Sequence, residues 1–196
     1  MALLIAAAVI FLSDNTKSAG YMRLVPYHSK ALDLFFTVFT YLGDGIVILL
    51  LAVVLLIRKK KWIGVAIIVS YALSGLLAQL AKYIHPSPRP AVFFRQLGLP
   101  FHEIPGVTLM NSMASFPSGH TTSAFALLVV LILFYPKSKW NLLWLFLAVA
   151  VGYSRIYLGN HFLADVTAGA TLGIISAFGT VRILAFYSGA KKTTVP

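Results

Sequence analysis

Apolar residues fill this chain in long blocks, and short polar or basic stretches cut the blocks apart. The first block, Met1 to Leu12, would rise only ~18 Å as a helix, short of a hydrocarbon core of ~30 Å. It is read as a short first span or the end of a truncated one. No basic residue precedes it, which argues against a cleaved signal peptide. Residues 13–30 turn polar and read as an exposed connection, and residues 29–41 are aromatic and mixed, as in a segment lying partly in the membrane interface. A second span is expected from about Phe39 to Ile57, stopping at Arg58-Lys59-Lys60-Lys61. Trp62 opens a third that runs to about Ile84. Residues 85–116, with prolines at 86, 88, 90, 100 and 105, form a long non-spanning segment of the kind that usually carries function. A fourth span is expected over Gly119–Tyr135, a fifth over Asn141–Tyr157 and a sixth from near His161 to Phe186.

Composition agrees with a membrane protein and narrows its chemistry. The chain is 59% hydrophobic and only 11% charged, where soluble domains carry roughly 25%. The expected architecture is therefore all-α and polytopic, with six transmembrane helices forming a single domain over residues 1–196. There are no cysteines, so disulfides, thiolate nucleophiles and Cys-ligated zinc are excluded. The five acidic residues, Asp14, Asp33, Asp44, Glu103 and Asp165, are scattered, which argues against a carboxylate-held metal pair. No metal or cofactor is expected. The net charge of +11 belongs at a membrane surface rather than on nucleic acid. If the two short loops and the C-terminus share a side, that side holds nine basic residues: Arg58, Lys59, Lys60, Lys61, Lys137, Lys139, Arg182, Lys191 and Lys192. The other side holds four once three candidate site residues are set aside: Lys17, Arg23, Lys30 and Arg95. The positive-inside rule then places both termini in the cytoplasm.

Smaller features have packing explanations. Asp44, between Gly43 and Gly45, reads as a turn into the second span. Ser70, Ser74, Gly75 and Ala78 read as close-packing positions of the third, and Gly169 with Gly173 as a contact with another helix of the same chain.

Three stretches carry chemistry, and the topology brings them to one membrane face. In Gly152–Asp165, Asp165 stands four residues after His161, so in a helix the two share a face. The carboxylate can hold one imidazole nitrogen and leave the other basic, or the two can simply satisfy each other. Arg155 offers a forked donor suited to phosphate. In Lys82–Pro90, Lys82 and Arg89 are either ordinary interfacial anchors or phosphate ligands. In Phe116–Thr122, the turn Pro117-Ser118-Gly119 running into a helix presents free amides at the positive end of the dipole, a ready anion site. Together they offer three cations, a helix start and the histidines His120 and His161, with Asp165 as the carboxylate among them.

The sets Lys82-x6-Arg89-Pro90, Pro117-Ser118-Gly119-His120 and Ser154-Arg155-x5-His161-x3-Asp165 resemble the three signature motifs of the type 2 phosphatidic acid phosphatase superfamily, which includes the vanadium haloperoxidases. The resemblance covers about residues 35–186 and keeps the family's order and internal spacings. It implies a six-helix core and a metal-independent phosphatase. It also implies roles. His161 attacks phosphorus to form a phosphohistidine, Asp165 orients it, and His120 protonates the departing oxygen. Lys82, Arg89 and Arg155, with Ser118 and the Gly119 amide, hold the phosphoryl oxygens.

The expected function is hydrolysis of a lipid phosphate or diphosphate in the inner membrane of a bacterium, with the site on the outer face. Candidate substrates are an undecaprenyl diphosphate, phosphatidylglycerophosphate and phosphatidic acid; lipid A is the main alternative. A phosphotransferase would use the same residues, and a lipid-binding or transport protein is the reading from another class. A haloperoxidase is not expected, since members with that activity are soluble and this chain is not. The expected partners are the lipid and the bilayer, with no obligate protein partner, and the loop at 85–116 is expected to set lipid specificity.

Overall fold

A computed structural model describes residues 1–107 and 112–187, so Lys191, Lys192 and part of the proline-rich loop lie outside it. Its helices are α1 (Ala2–Asp14), α2 (Lys17–Leu24), α3 (Lys30–Phe39), the 3-10 turn η1 (Thr40–Gly43), α4 (Gly45–Ile57), α5 (Lys61–Ile84), α6 (Pro90–Gln96), α7 (Gly119–Phe134), α8 (Asn141–Tyr157) and α9 (Leu163–Tyr187). Among the described residues there is no strand, only an isolated bridge between Ser87 and Ala114.

Two helices, α5 and α9, are by themselves long and apolar enough to cross a membrane. The segment expected as one span from Phe39 is instead a broken helix. It begins at Lys30 and bends by 52° between Gly43 and Gly45. The Asp44 carboxylate caps α4 by accepting from Ile46 N at 2.8 Å, so the chain restarts a helix there instead of continuing the old one. α1, α7 and α8 are shorter apolar helices. Leu50, Leu76, Leu142 and Phe146 are exposed on the outward faces, a surface that suits a hydrocarbon solvent and not water. The chain is an integral membrane protein.

α7 lies at the centre, against α5, α8 and α9, while α4 packs on α5 and α1 on α9. In α5 the buried positions Ile63, Ala66, Ile67, Ser70, Ser74 and Ala78 recur at helical spacing and form one stripe. Gly75 departs from the expectation: a Cβ there would meet nothing within 4 Å, because it lines a cavity. Gly169 and Gly173 do make the expected contact. A Cβ at Gly169 would lie 2.6 Å from the Ser118 carbonyl oxygen and one at Gly173 2.5 Å from that of Thr122, so α9 presses directly on the α7 backbone.

The polar connection at 13–30 is more ordered than its composition suggests. Thr16 caps α2, and Tyr21 is buried against Phe94, Phe101 and Phe162. This aromatic cluster, with Ile156 and Tyr157, closes the end of the bundle where α8 turns into α9. Within the proline-rich loop, Pro90 starts α6 at its first position, where a missing N–H costs nothing.

Candidate active site

The start of α7 follows a cis Phe116–Pro117 bond. Ser118 caps the helix, accepting from Thr121 N at 3.4 Å and sharing a 2.9 Å hydroxyl contact with Thr121. Its backbone N–H donates to the Asp165 carbonyl at 3.0 Å, which ties the start of α7 to the start of α9. A Cβ at Gly119 would meet nothing within 4 Å. Space is therefore open beside Gly119, and a ligand can come against the backbone at the start of α7.

His161 sits in the link between α8 and α9. The link folds back through Gly159, at φ 69°, and the N–H groups of Asn160 and His161 both donate to the Arg155 carbonyl at 3.1 Å. His161 thus precedes the helix, while Asp165 lies in its first turn; the expected single helical face is replaced by a turn followed by a helix. The two still meet, with Nδ1 of His161 3.5 Å from Oδ2 of Asp165. At that distance and angle the contact falls short of a formed hydrogen bond. Asp165 is held by Ser115 Oγ donating at 2.6 Å and by Phe162 N at 2.9 Å. Burial pushes the His161 imidazole down to about 4, Asp165 opposes this, and Arg89 adds to it. The ring is neutral near pH 7 and its Nε2 retains a lone pair.

Nε2 of His161 lies 3.4 Å from Nη1 of Arg89. Arg89, at the N-cap of α6, is buried and donates to the Ser112 hydroxyl at 3.0 Å and to the carbonyls of Asn160 at 3.0 Å and Ala114 at 3.4 Å. Lys82, in the last turn of α5, donates to the carbonyls of Ala114 and Pro117, both at 2.8 Å. Arg155 donates through Nη1 to Thr40 Oγ1 at 2.8 Å, and its Nε is buried with no partner. Among the described residues, none of these three cations has a carboxylate within 4.0 Å. Arg89 and Arg155 repel each other across the site. Clustered, buried, unneutralised cations are costly unless an anion completes them.

His120 lines a cavity of about 420 Å3 with Lys82, Gly119, Gln79, Tyr71 and Gly75. A second cavity, about 320 Å3, backs onto Asp165 and includes Lys17, His85 and Ser87. The eight candidate site residues that the three motifs carry are thus brought to one end of the bundle. Sequence reasoning missed Ser115, which grips Asp165, and Thr40, which grips Arg155. Ser115 stands two residues before Pro117 and differs from other loop serines by nothing local. Thr40 lies 115 residues from its arginine and carries no signal at all.

Fold and site together define a helical membrane protein that gathers three cations and two histidines at one end of its bundle. The chain belongs to the PAP2 superfamily, whose family model matches residues 63–187. It is 34% identical over 132 residues to the bacitracin transport permease protein BcrC of Bacillus licheniformis, covering 65% of this chain and 60% of that protein. It is 32% identical over 132 residues to an undecaprenyl-diphosphatase of Sulfolobus acidocaldarius, covering 67% and 60%. Each match therefore spans three-fifths of the relative's length. The crystal structure of Aquifex aeolicus LpxE matches with a TM-score of 0.69 at 31% identity, over 83% of this chain and 92% of that one.

Proposed function

We propose that the protein is a lipid phosphatase, and that its substrate is a long-chain lipid diphosphate of the undecaprenyl kind. The observation that carries this reading is the buried, partnerless Nε of Arg155, set in a cluster of cations that, among the described residues, have no carboxylate within 4.0 Å. A phosphoryl group supplies the missing acceptor there, and the neutral Nε2 of His161 is the nucleophile beside it. The relative named undecaprenyl-diphosphatase supports the choice among lipids. Phosphatidylglycerophosphate, phosphatidic acid and lipid A are the alternatives that a substrate panel would separate.

The steps use this chain's own residues. The lone pair of His161 Nε2 attacks phosphorus, the bond from phosphorus to the lipid-side oxygen breaks, and that oxygen takes a proton from His120. Water then attacks the phosphohistidine, giving its proton to His120, and inorganic phosphate leaves. Arg89, Arg155, Lys82, the Gly119 amide and the Ser118 hydroxyl stabilise the charge on the phosphoryl oxygens. The Ser118 oxygen accepts within its cap, which leaves its proton to donate. Phosphate release by the purified protein in detergent should persist in excess chelator, because Asp165 alone cannot build a two-metal clamp. Absence of release from every lipid phosphate would remove the phosphatase reading; loss in chelator, restored by magnesium, would remove the mechanism.

Six spans follow if α1, the bent pair α3 to α4, α5, α7, α8 and α9 each cross the bilayer. The basic links Arg58–Lys61 and Lys137–Lys139 then lie at the opposite end from the site, and their charge supports chemistry on the outer face with both termini in the cytoplasm. The native chain has no cysteine, so single replacements report cleanly. A cysteine in place of the exposed Leu99 should react with an impermeant thiol reagent in intact spheroplasts, and one in place of Lys139 only after permeabilisation. The reverse pattern would invert the topology.

A further inference from the structure

Asp44 does more at the bend than cap α4. Its Oδ1 accepts from Ile46 N, while its Oδ2 faces Nε2 of His120 at 4.0 Å. The flanking glycines impose this approach. A Cβ at Gly43 would lie 2.7 Å from the His120 carbonyl oxygen, and one at Gly45 would run into the Tyr71 hydroxyl. Gly43 thus lets the bend press onto the first turn of α7 and Gly45 lets it sit under the Tyr71 ring of α5, and the carboxylate between them is delivered to the imidazole. Both side chains are 32% exposed and open on the same end of the bundle.

The charged and titratable groups facing His120 come from every element around it. They are Arg155 from α8, Arg89 from the start of α6 and Asp44 from the bend. Lys82 and Tyr71 from α5 line the same cavity. Burial first, and then Arg155 and Arg89, disfavour a charged imidazole. Asp44 is the carboxylate among them that favours it.

We propose that Asp44 is a positioning residue for His120: it draws the Nε2–H of the imidazolium to itself and leaves Nδ1–H as the donor to the departing oxygen. The site then holds two histidine–aspartate pairs of opposite ring polarity. His161 turns Nδ1 to Asp165 and presents Nε2 to phosphorus. His120 turns Nε2 to Asp44 and presents Nδ1 to the leaving group. At 4.0 Å the second pair is an ion contact rather than a formed hydrogen bond, and it tightens when His120 carries the proton. The first ring must be neutral and the second charged when each acts, and the two pairs differ in access: His161 and Asp165 are shut in, whereas His120 and Asp44 meet at a half-open rim.

This inference rests on the phosphatase reading for its catalytic meaning, but the pair itself can be tested apart from turnover. Asp44→Asn keeps the cap, since asparagine caps a helix as well as aspartate, and removes the charge. In histidine-labelled protein, with His120→Ala used to assign the resonance, the His120 titration should move about one pH unit lower in the Asn variant, the low end of what an opposite charge at this range contributes. Removing a carboxylate that favours the charged ring lowers the pH at which the ring loses its proton. The alkaline limb of kcat should therefore move down by about the same amount. The deficit should be larger on a lipid monoester than on a nitrophenyl phosphate, whose leaving group needs less help. An unmoved His120 titration would overturn the pair, whether or not phosphate is released. An active wild type whose Asn variant is slower by one factor at every pH would make Asp44 a cap alone. A shifted titration in a protein that releases no phosphate would keep the pair and remove the phosphatase reading.

Discussion

Replacing His161 with alanine is expected to abolish turnover and phosphoenzyme formation together, a loss of at least ~10⁴-fold, in line with removal of a nucleophile elsewhere. Its Nε2 is the neutral nitrogen that faces Arg89, and the surrounding polar groups are otherwise engaged. Ser118 caps α7, Ser115 binds Asp165, and Lys82 as an ammonium donating to two carbonyls has no lone pair with which to attack. Rapid-quench labelling with a radioactive lipid diphosphate, followed by acid and alkaline treatment, reads the intermediate directly. An acid-labile phosphoenzyme in the alanine variant would show that another group attacks phosphorus. The variant should fold, because the ring makes no formed hydrogen bond through Nδ1 and the aromatic cluster beside it does not depend on the imidazole.

The second large effect separates the two histidines. His120→Ala should lose activity in proportion to how poor the leaving group is. An alkoxide leaving from a phosphomonoester needs the proton, while a phosphate leaving from a diphosphate, or a nitrophenolate, needs it far less. Relative to wild type, the variant should retain roughly 10²-fold more activity on the activated substrates, the lower end of what general acid catalysis contributes. The phosphohistidine should still form from these substrates. An equal defect across leaving groups would mean that His120 serves binding and not proton transfer. Its position fits the acid role, since it lines the cavity that also holds Lys82 and Gly119 and lies apart from the His161–Asp165 pair.

The location of this chemistry is legible in the sequence because motif residues keep fixed local spacings. Those spacings survive whatever bends the chain makes elsewhere. The single-helix geometry expected for His161 and Asp165 is wrong in detail: the ring belongs to a turn closed by the Arg155 carbonyl, and four residues of turn plus helix bring the pair together as well as one helical face would. The partners that hold these residues are not legible there. Ser115 reaches Asp165 over 50 residues and Thr40 reaches Arg155 over 115, and a hydrogen bond between distant positions leaves no periodic trace in either segment. The same holds for Asp44, which reads as a turn into a helix and is one, but whose second oxygen meets α7 only because Gly43 lets the bend touch the α7 backbone.

By itself the sequence determined that the chain is a helical membrane protein, because apolar blocks bounded by basic clusters and tryptophans have one cheap solution in a bilayer. It placed the ends of α5 and α7 to within a residue, and those of α8 on the residue, since proline, basic runs and the Ser118 cap act on their own neighbours. Tertiary structure alone decided that the second span breaks at Gly43–Gly45, that α2 buries Tyr21, and that Gly75 borders a cavity while Ser74 is packed. Each of these depends on what a neighbouring helix presents at that height, and helical periodicity says which face a residue shares but not what it will meet there.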